Sequence, residues 1–285
     1  IDLVVIAAPN PLHVPMAKEA IEAGKYVIVE KPAAASSEEV RRLCRLARER
    51  KVLFSVYQNR RLDGDFRTIR KLIEDGTLGE IVDYEAHYDR FVTGASSKKW
   101  KAEGGRGIGI LYDLGVHIID QAYVLFGMPC EVYADFCKQR EESADYDRFN
   151  VILYYKGLQA LLSAGEVVAM PGPHFMVHGR KGSYIKYGMD VQEEALGAGA
   201  APGCEGWGLE DPAAYGILGT VGENGIQKRP VPTIAGDYGL YYDNFYHAMN
   251  GEAELLVNPE DSIAVLQIME AAIRSAASHK REKIG

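Results

Sequence analysis

Two short stretches of this chain set reactive side chains at spacings that could do chemistry. In YVIVEKP, Lys31 ends an apolar β-branched run and is followed by Pro32. A proline disfavours the helical region for the residue before it, so Lys31 stands extended at the strand end with its ammonium aimed outward. An ordinary turn lysine ahead of a helix would read the same way. In GIGILYDLGVHIID, Asp113 and His117 are four apart and Asp120 lies one turn further on. On a helix the first two share a face. A carboxylate that orients a histidine fixes its tautomer and supports the imidazolium, which makes a general base. A satisfied His–Asp pair between helix and sheet has the same spacing. So does half of a metal site, although no third ligand is close in sequence and no metal is expected.

Other candidates fall away. His174 and His178 lie in a strand-like run, where residues four apart are ~13 Å apart, too far to share a metal ion. There is no GxSxG elbow, no GxxxxGK[ST] loop and no GxGxxG register. The basic stretch RRLCRLARERK reads as a solvated helix face.

The elements that position these residues follow from periodicity. Residues 2–7, 26–29 and 52–56 are short apolar runs suited to buried parallel strands. Between the first two lies a helix that Asn10 can cap, with Pro11 at its first position and Val14, Ala17, Ala20 and Ile21 on one stripe. Ser36 with Glu39 forms a capping box for the next helix, whose apolar face is Val40, Leu43 and Ala47. This β-α-β-α-β order predicts a parallel, right-handed, doubly wound sheet. In such a sheet ligands bind beyond the carboxyl ends of the strands. Ala8, Pro9, Asn10 and His13 follow the first strand, Glu30, Lys31 and Pro32 the second, and Tyr57, Gln58, Asn59 and Arg60 the third, so all should line one edge. From about residue 80 the runs IVDYEAHYDRF, EVYADFC, FNVILYY and LQALLSAGEVV predict a mainly antiparallel sheet. Helices are expected near 65–75, 109–126 and 259–279, and a Gly/Pro-rich loop at 197–208. The division expected is 1–62 for an incomplete dinucleotide-binding domain, 63–258 for an α+β domain, and 259–285 for a C-terminal helix.

Composition narrows the class. With 285 residues, 47% hydrophobic and 25% charged, the chain can bury a sizeable core. A net charge of -8 argues against nucleic acid or an anionic membrane as partner. Four cysteines without CxxC pairing (Cys44, Cys130, Cys137, Cys204) suit a reduced, cytoplasmic protein.

The stretches VVIAAPNPLH, VEKP, VYQNRR, KLIEDGTLGEI, GILYDLGVHIID and YYDNFYHAMNG, in this order, resemble the Gfo/Idh/MocA oxidoreductase family. Within it, VYQNRRLDGDFRTIRKLIEDGTLGEI is most similar to the NADP-dependent scyllo-inositol dehydrogenase branch. The resemblance implies the later part of a Rossmann-type parallel sheet followed by a domain with a large, mainly antiparallel sheet and covering helices. It further implies NADP or NAD as cofactor, a polyol or sugar substrate, and a homo-oligomer, dimer or tetramer. Lys31, Asp113 and His117 match the family's catalytic positions. Pro9, Asn10, His13, Glu30 and, more weakly, Asn59 match positions near the nicotinamide ribose. Tyr241 and Tyr242 lie in a segment that often approaches substrate. The reaction implied is hydride transfer from a secondary alcohol, with a different sugar substrate, a non-catalytic sugar-sensing or regulatory relative, or a truncated inactive fragment as alternatives. The chain opens on Ile1, and the family's leading strand and Gly-rich turn are absent from it. About 60 preceding residues are therefore expected, since a βαβ unit takes ~30 or more.

Overall fold

The computed structural model describes residues 1–94 and 104–284. β1 (Leu3–Ile6), β2 (Tyr26–Glu30) and β3 (Phe54–Tyr57) form a parallel sheet in that order. Val27, Ile28, Val29 and Val56 are fully buried, as expected of strands covered on both faces. α1 (Asn10–Glu22) and α2 (Ser37–Arg50) make the crossovers. The capping box is present: the Glu39 amide donates to Ser36 Oγ, and that hydroxyl donates to the Glu39 carboxylate at 3.0 Å. α1 starts one residue earlier than its sequence suggests. Pro9 holds the cap position and Asn10 is the first helical residue, with no side-chain cap.

α3 (Gly64–Glu74) leads into β4 (Ile81–His87), the first strand of a nine-stranded sheet. The rest are β5 (Glu131–Cys137), β6 (Arg148–Tyr154), β7 (Gln159–Gly165), β8 (Phe175–Gly179), β9 (Gly182–Lys186), β10 (Gly216–Gly222), β11 (Gly225–Val231) and β12 (Glu282–Lys283). The order is β11-β10-β9-β8-β4-β7-β6-β5-β12. Every neighbouring pair is antiparallel except β4–β7. Alternation is strict: Tyr84, Ala86, Val132, Ala134, Phe149, Val151, Leu153, Ala160, Leu162, Phe175 and Val177 all point to one buried face. The α/β plus α+β fold class expected from the sequence is the one observed.

Helices cover that face. α4 (Val116–Phe126) is preceded by a π-helical turn, Leu111–Gly115, where a single α-helix is predicted. α5 (Gln192–Gly197) leads into the Gly/Pro-rich segment, and α6 (Gly239–Met249) covers the small sheet through Tyr238, Tyr241 and Phe245. α7 (Pro259–Ser278) begins at the Asn258–Pro259 signal, with Asn258 accepting from the Glu260 amide. It packs on α2, α4 and β5, and so ties the two sheets together. Glu270 accepts from the Ser37 amide at 2.8 Å and the Ser37 hydroxyl at 2.9 Å at the start of α2.

Candidate active site

Lys31 leaves the end of β2 and crosses to the π-helical turn. Its Nζ donates to the Asp113 carbonyl at 2.8 Å and lies 3.5 Å from Asp113 Oδ1. Asp113 Oδ2 is 3.7 Å from the Arg90 guanidinium. These contacts revise the relationship expected between Asp113 and His117. A π-turn closes i→i+5 bonds and widens the spiral, so residues four apart are not stacked as they are on an α-helix. Asp113 therefore faces two cations, and His117 Nδ1 is buried with no hydrogen-bond partner among the described residues. Asp120, one turn on, is also committed elsewhere: its carboxylate takes the Arg61 guanidinium in two bonds of 2.6 and 2.7 Å.

His117 is 4% exposed. Burial holds its imidazole well below the usual histidine range, and the charges of Lys31 and Arg60 push the same way. It is a neutral ring beside two cations, the state a proton acceptor needs. Tyr88 lies against it, ring centroids 6.3 Å apart, and the Arg60 guanidinium stands 5.4 Å over the Tyr88 ring.

The other predicted edge residues take different places. Glu30 is half-buried beside Lys31. Burial raises its carboxyl above the ordinary value, while the Lys31 charge opposes the rise. Asn10 Nδ2 donates to the Gly107 carbonyl at 2.8 Å, pinning the loop that leads to the π-turn. Gly107 has φ +75, and a Cβ there would stand 2.9 Å from the Ala35 Cβ, so only glycine fits. Pro9 caps α1 and Asn59 opens a short 3₁₀ turn after β3. His13 is buried, with its ring nitrogens 2.8 Å from the Pro32 carbonyl and 2.7 Å from the Ala8 carbonyl. It ties two strand ends together instead of facing the crevice.

The two tyrosines separate. Tyr241 is 2% exposed and its hydroxyl donates to Ser55 Oγ at 2.8 Å, so it serves the packing under α6. Tyr242 is 43% exposed and lies 5.4 Å from Tyr57, ring to ring, near Glu30. Sequence reasoning missed Arg90 and Tyr88, which follow β4, and Glu193, which meets Arg60. Only Arg60 had a signal, its place just beyond the third strand.

Comparison with known proteins agrees with this layout. Residues 1–58 match the family model described as an oxidoreductase family NAD-binding Rossmann fold, and residues 70–284 match that family's C-terminal alpha/beta domain. The chain belongs to the Gfo/Idh/MocA oxidoreductase family. It is 42% identical over 276 residues to scyllo-inositol 2-dehydrogenase (NADP(+)) IolW of Bacillus subtilis, covering 97% of this chain and 77% of that protein. It is 28% identical to inositol 2-dehydrogenase of Rhizobium meliloti over 100% of this chain and 81% of that one. An oxidoreductase from Bacillus cereus superposes with a TM-score of 0.91 at 38% identity, over 100% of this chain and 81% of the other.

The residues present fit the nicotinamide end of such a cofactor. The edge of β1–β3 offers the Glu30 carboxylate and, just past β3, a buried Gln58 Oε1 that has no hydrogen-bond partner among the described residues. These are acceptors of the kind that hydroxyl and amide donors require.

Proposed function

We propose that this Gfo/Idh/MocA chain is that of an NAD(P)-dependent dehydrogenase that oxidises a secondary alcohol of a cyclic polyol of the inositol class. The observation that carries the reading is the convergence of two segments: an ammonium from a sheet end bonds Asp113, four residues before His117, and its charge adds to the burial that keeps that imidazole neutral. When bound, the nicotinamide supplies the hydride-accepting carbon. Lys31 hydrogen-bonds the reacting oxygen and stabilises the negative charge that develops on it. His117 takes the hydroxyl proton at Nε2, the nitrogen opposite its buried Nδ1. Asp113 acts through Lys31, holding the ammonium with its carbonyl and carboxylate so that it stays aimed across the cleft. Glu30, Pro9, Asn10 and Asn59 shape the cofactor side, and Tyr242 the substrate side. The similarity to inositol dehydrogenases supports the substrate class.

The reading also makes the chain a cytoplasmic homo-oligomer; the four cysteines, all free, suit a reduced compartment. The test is steady-state oxidation of scyllo-inositol with NADP and with NAD by the full-length protein. Lys31→Ala and His117→Ala should each lower kcat by about 10²–10³-fold. Wild-type kcat in both variants would end the assignment.

A further inference from the structure

Glu193 lies on α5, in a segment that has no repeating pattern in sequence and is held in place by its neighbours. Gln192, fully buried, donates to the Leu62 carbonyl and to Asp190, and its Oε1 accepts from Trp207 Nε1 at 3.1 Å and the Tyr238 amide at 2.8 Å. Asp190 in turn accepts from the Gly64 amide at 2.7 Å, at the start of α3. This clamp carries Glu193 to within 2.5 Å of the Arg60 guanidinium. Arg60 is itself fixed, by Asp63 at 3.3 Å and the Tyr238 hydroxyl at 3.4 Å.

The pair is asymmetric. The Arg60 side chain is 7% exposed and that of Glu193 58%. A surface carboxylate on a buried guanidinium is held in one orientation while keeping acceptor positions open to solvent. Its surroundings are those of the site: Arg60 stands over Tyr88, whose ring neighbours His117. The Glu193 charge also reaches Glu30 beside Lys31, and Tyr57.

We propose that Glu193 is a specificity-determining residue, accepting hydrogen bonds from ring hydroxyls of the polyol remote from the reacting carbon. The inference rests on the dehydrogenase reading above and deepens it. An inositol carries a hydroxyl on every ring carbon, so a substrate held by Lys31 and His117 at one edge presents donors at the opposite one. A preformed carboxylate suits a pair of adjacent hydroxyls, and a substrate lacking them leaves it unfilled.

The test uses the full-length protein with scyllo-inositol and NADP. Hydrogen bonds to a charged group are worth enough that Glu193→Gln and Glu193→Ala should raise KM about 10- to 100-fold, with kcat within about threefold of wild type. Saturation-transfer NMR of scyllo-inositol on the NADPH-bound protein should show the same loss of binding, which does not depend on turnover. Glu193→Gln is nearly isosteric and can keep a bond to Arg60, so it serves where the alanine variant folds poorly. A deoxy-inositol lacking the remote hydroxyls should show no difference between wild type and variant. Unchanged KM and binding in Glu193→Gln, with His117→Ala inactive, would overturn this inference alone. A fall in kcat at unchanged KM would overturn it too. Full activity in His117→Ala would instead overturn the reading beneath it.

Discussion

Lys31 Nζ donates to the main-chain carbonyl of Asp113 at 2.8 Å, joining two segments 82 residues apart. A backbone carbonyl cannot be mutated away, so Asp113 substitutions leave this bond while removing the carboxylate's contacts with Lys31 at 3.5 Å and Arg90 at 3.7 Å. Asp113→Asn should therefore lower kcat less than Lys31→Ala does, by about 10-fold against about 10²–10³-fold. Parallel steady-state assays check the order, and equal losses would show that the carboxylate has a role beyond aiming Lys31.

The neutral state of His117 has a consequence for stability. Its folded-state affinity for a proton is well below the unfolded one, as is that of His174, lowered to about 3 by burial. Below an unfolded value of about 6.5 the unfolded chain binds protons that the folded chain does not, so stability falls as pH drops through that point. For His174 the loss continues down to about 3. Thermal melts should show Tm declining from pH 7 to pH 5, and His174→Gln should flatten the decline. A slope unchanged by the substitution would place the acid sensitivity elsewhere.

Asp65 behaves in the opposite sense. It is buried near Asp190, its Oδ1 accepts from the Phe66 amide, and its Oδ2 has no hydrogen-bond partner among the described residues, with His174 Nε2 3.7 Å away. Burial, then Asp190, raises its carboxyl to about 7, so the folded state holds a proton that the unfolded state releases near 3.8. Stability from this group is present below about 3.8 and is lost as pH rises to about 7. Asp65→Asn keeps the Phe66 bond and removes the charge. It should raise Tm at pH 8 by more than at pH 5, and a larger gain at pH 5 would contradict the assignment.

Arg61 and Asp120 are a buried pair that also takes in Asp261, at 2.8 Å from Arg61. Removing one partner of a buried pair leaves the other charged and unmatched, a loss of about 3–5 kcal/mol. Asp120→Ala should show it in urea unfolding. A loss below 1 kcal/mol would mean that Asp261 alone satisfies Arg61.

Local order was legible in the sequence where one residue's neighbours along the chain decide its state. The apolar runs of β1–β3 fix strands, Ser36 with Glu39 fixes the start of α2, and Lys31 ahead of Pro32 marks the strand end that faces the cleft. The aromatic and β-branched runs of β4–β7 pointed to a mainly antiparallel sheet, although the parallel β4–β7 pairing inside it leaves no local trace.

What the tertiary structure alone decided is where the charges meet. Asp113 and His117 look like a helical pair by spacing, but the chain takes a π-turn there and Asp113 meets Lys31 and Arg90. His13 could have faced solvent or cleft, and two carbonyls brought together by β1 and β2 claim it. Arg60 and Glu193 share no pattern in the chain, since an ion pair across so many residues depends on how α3, α5 and Tyr238 dock. Periodicity reports which face of an element is apolar; which charged side chain stands opposite is settled only when the faces close.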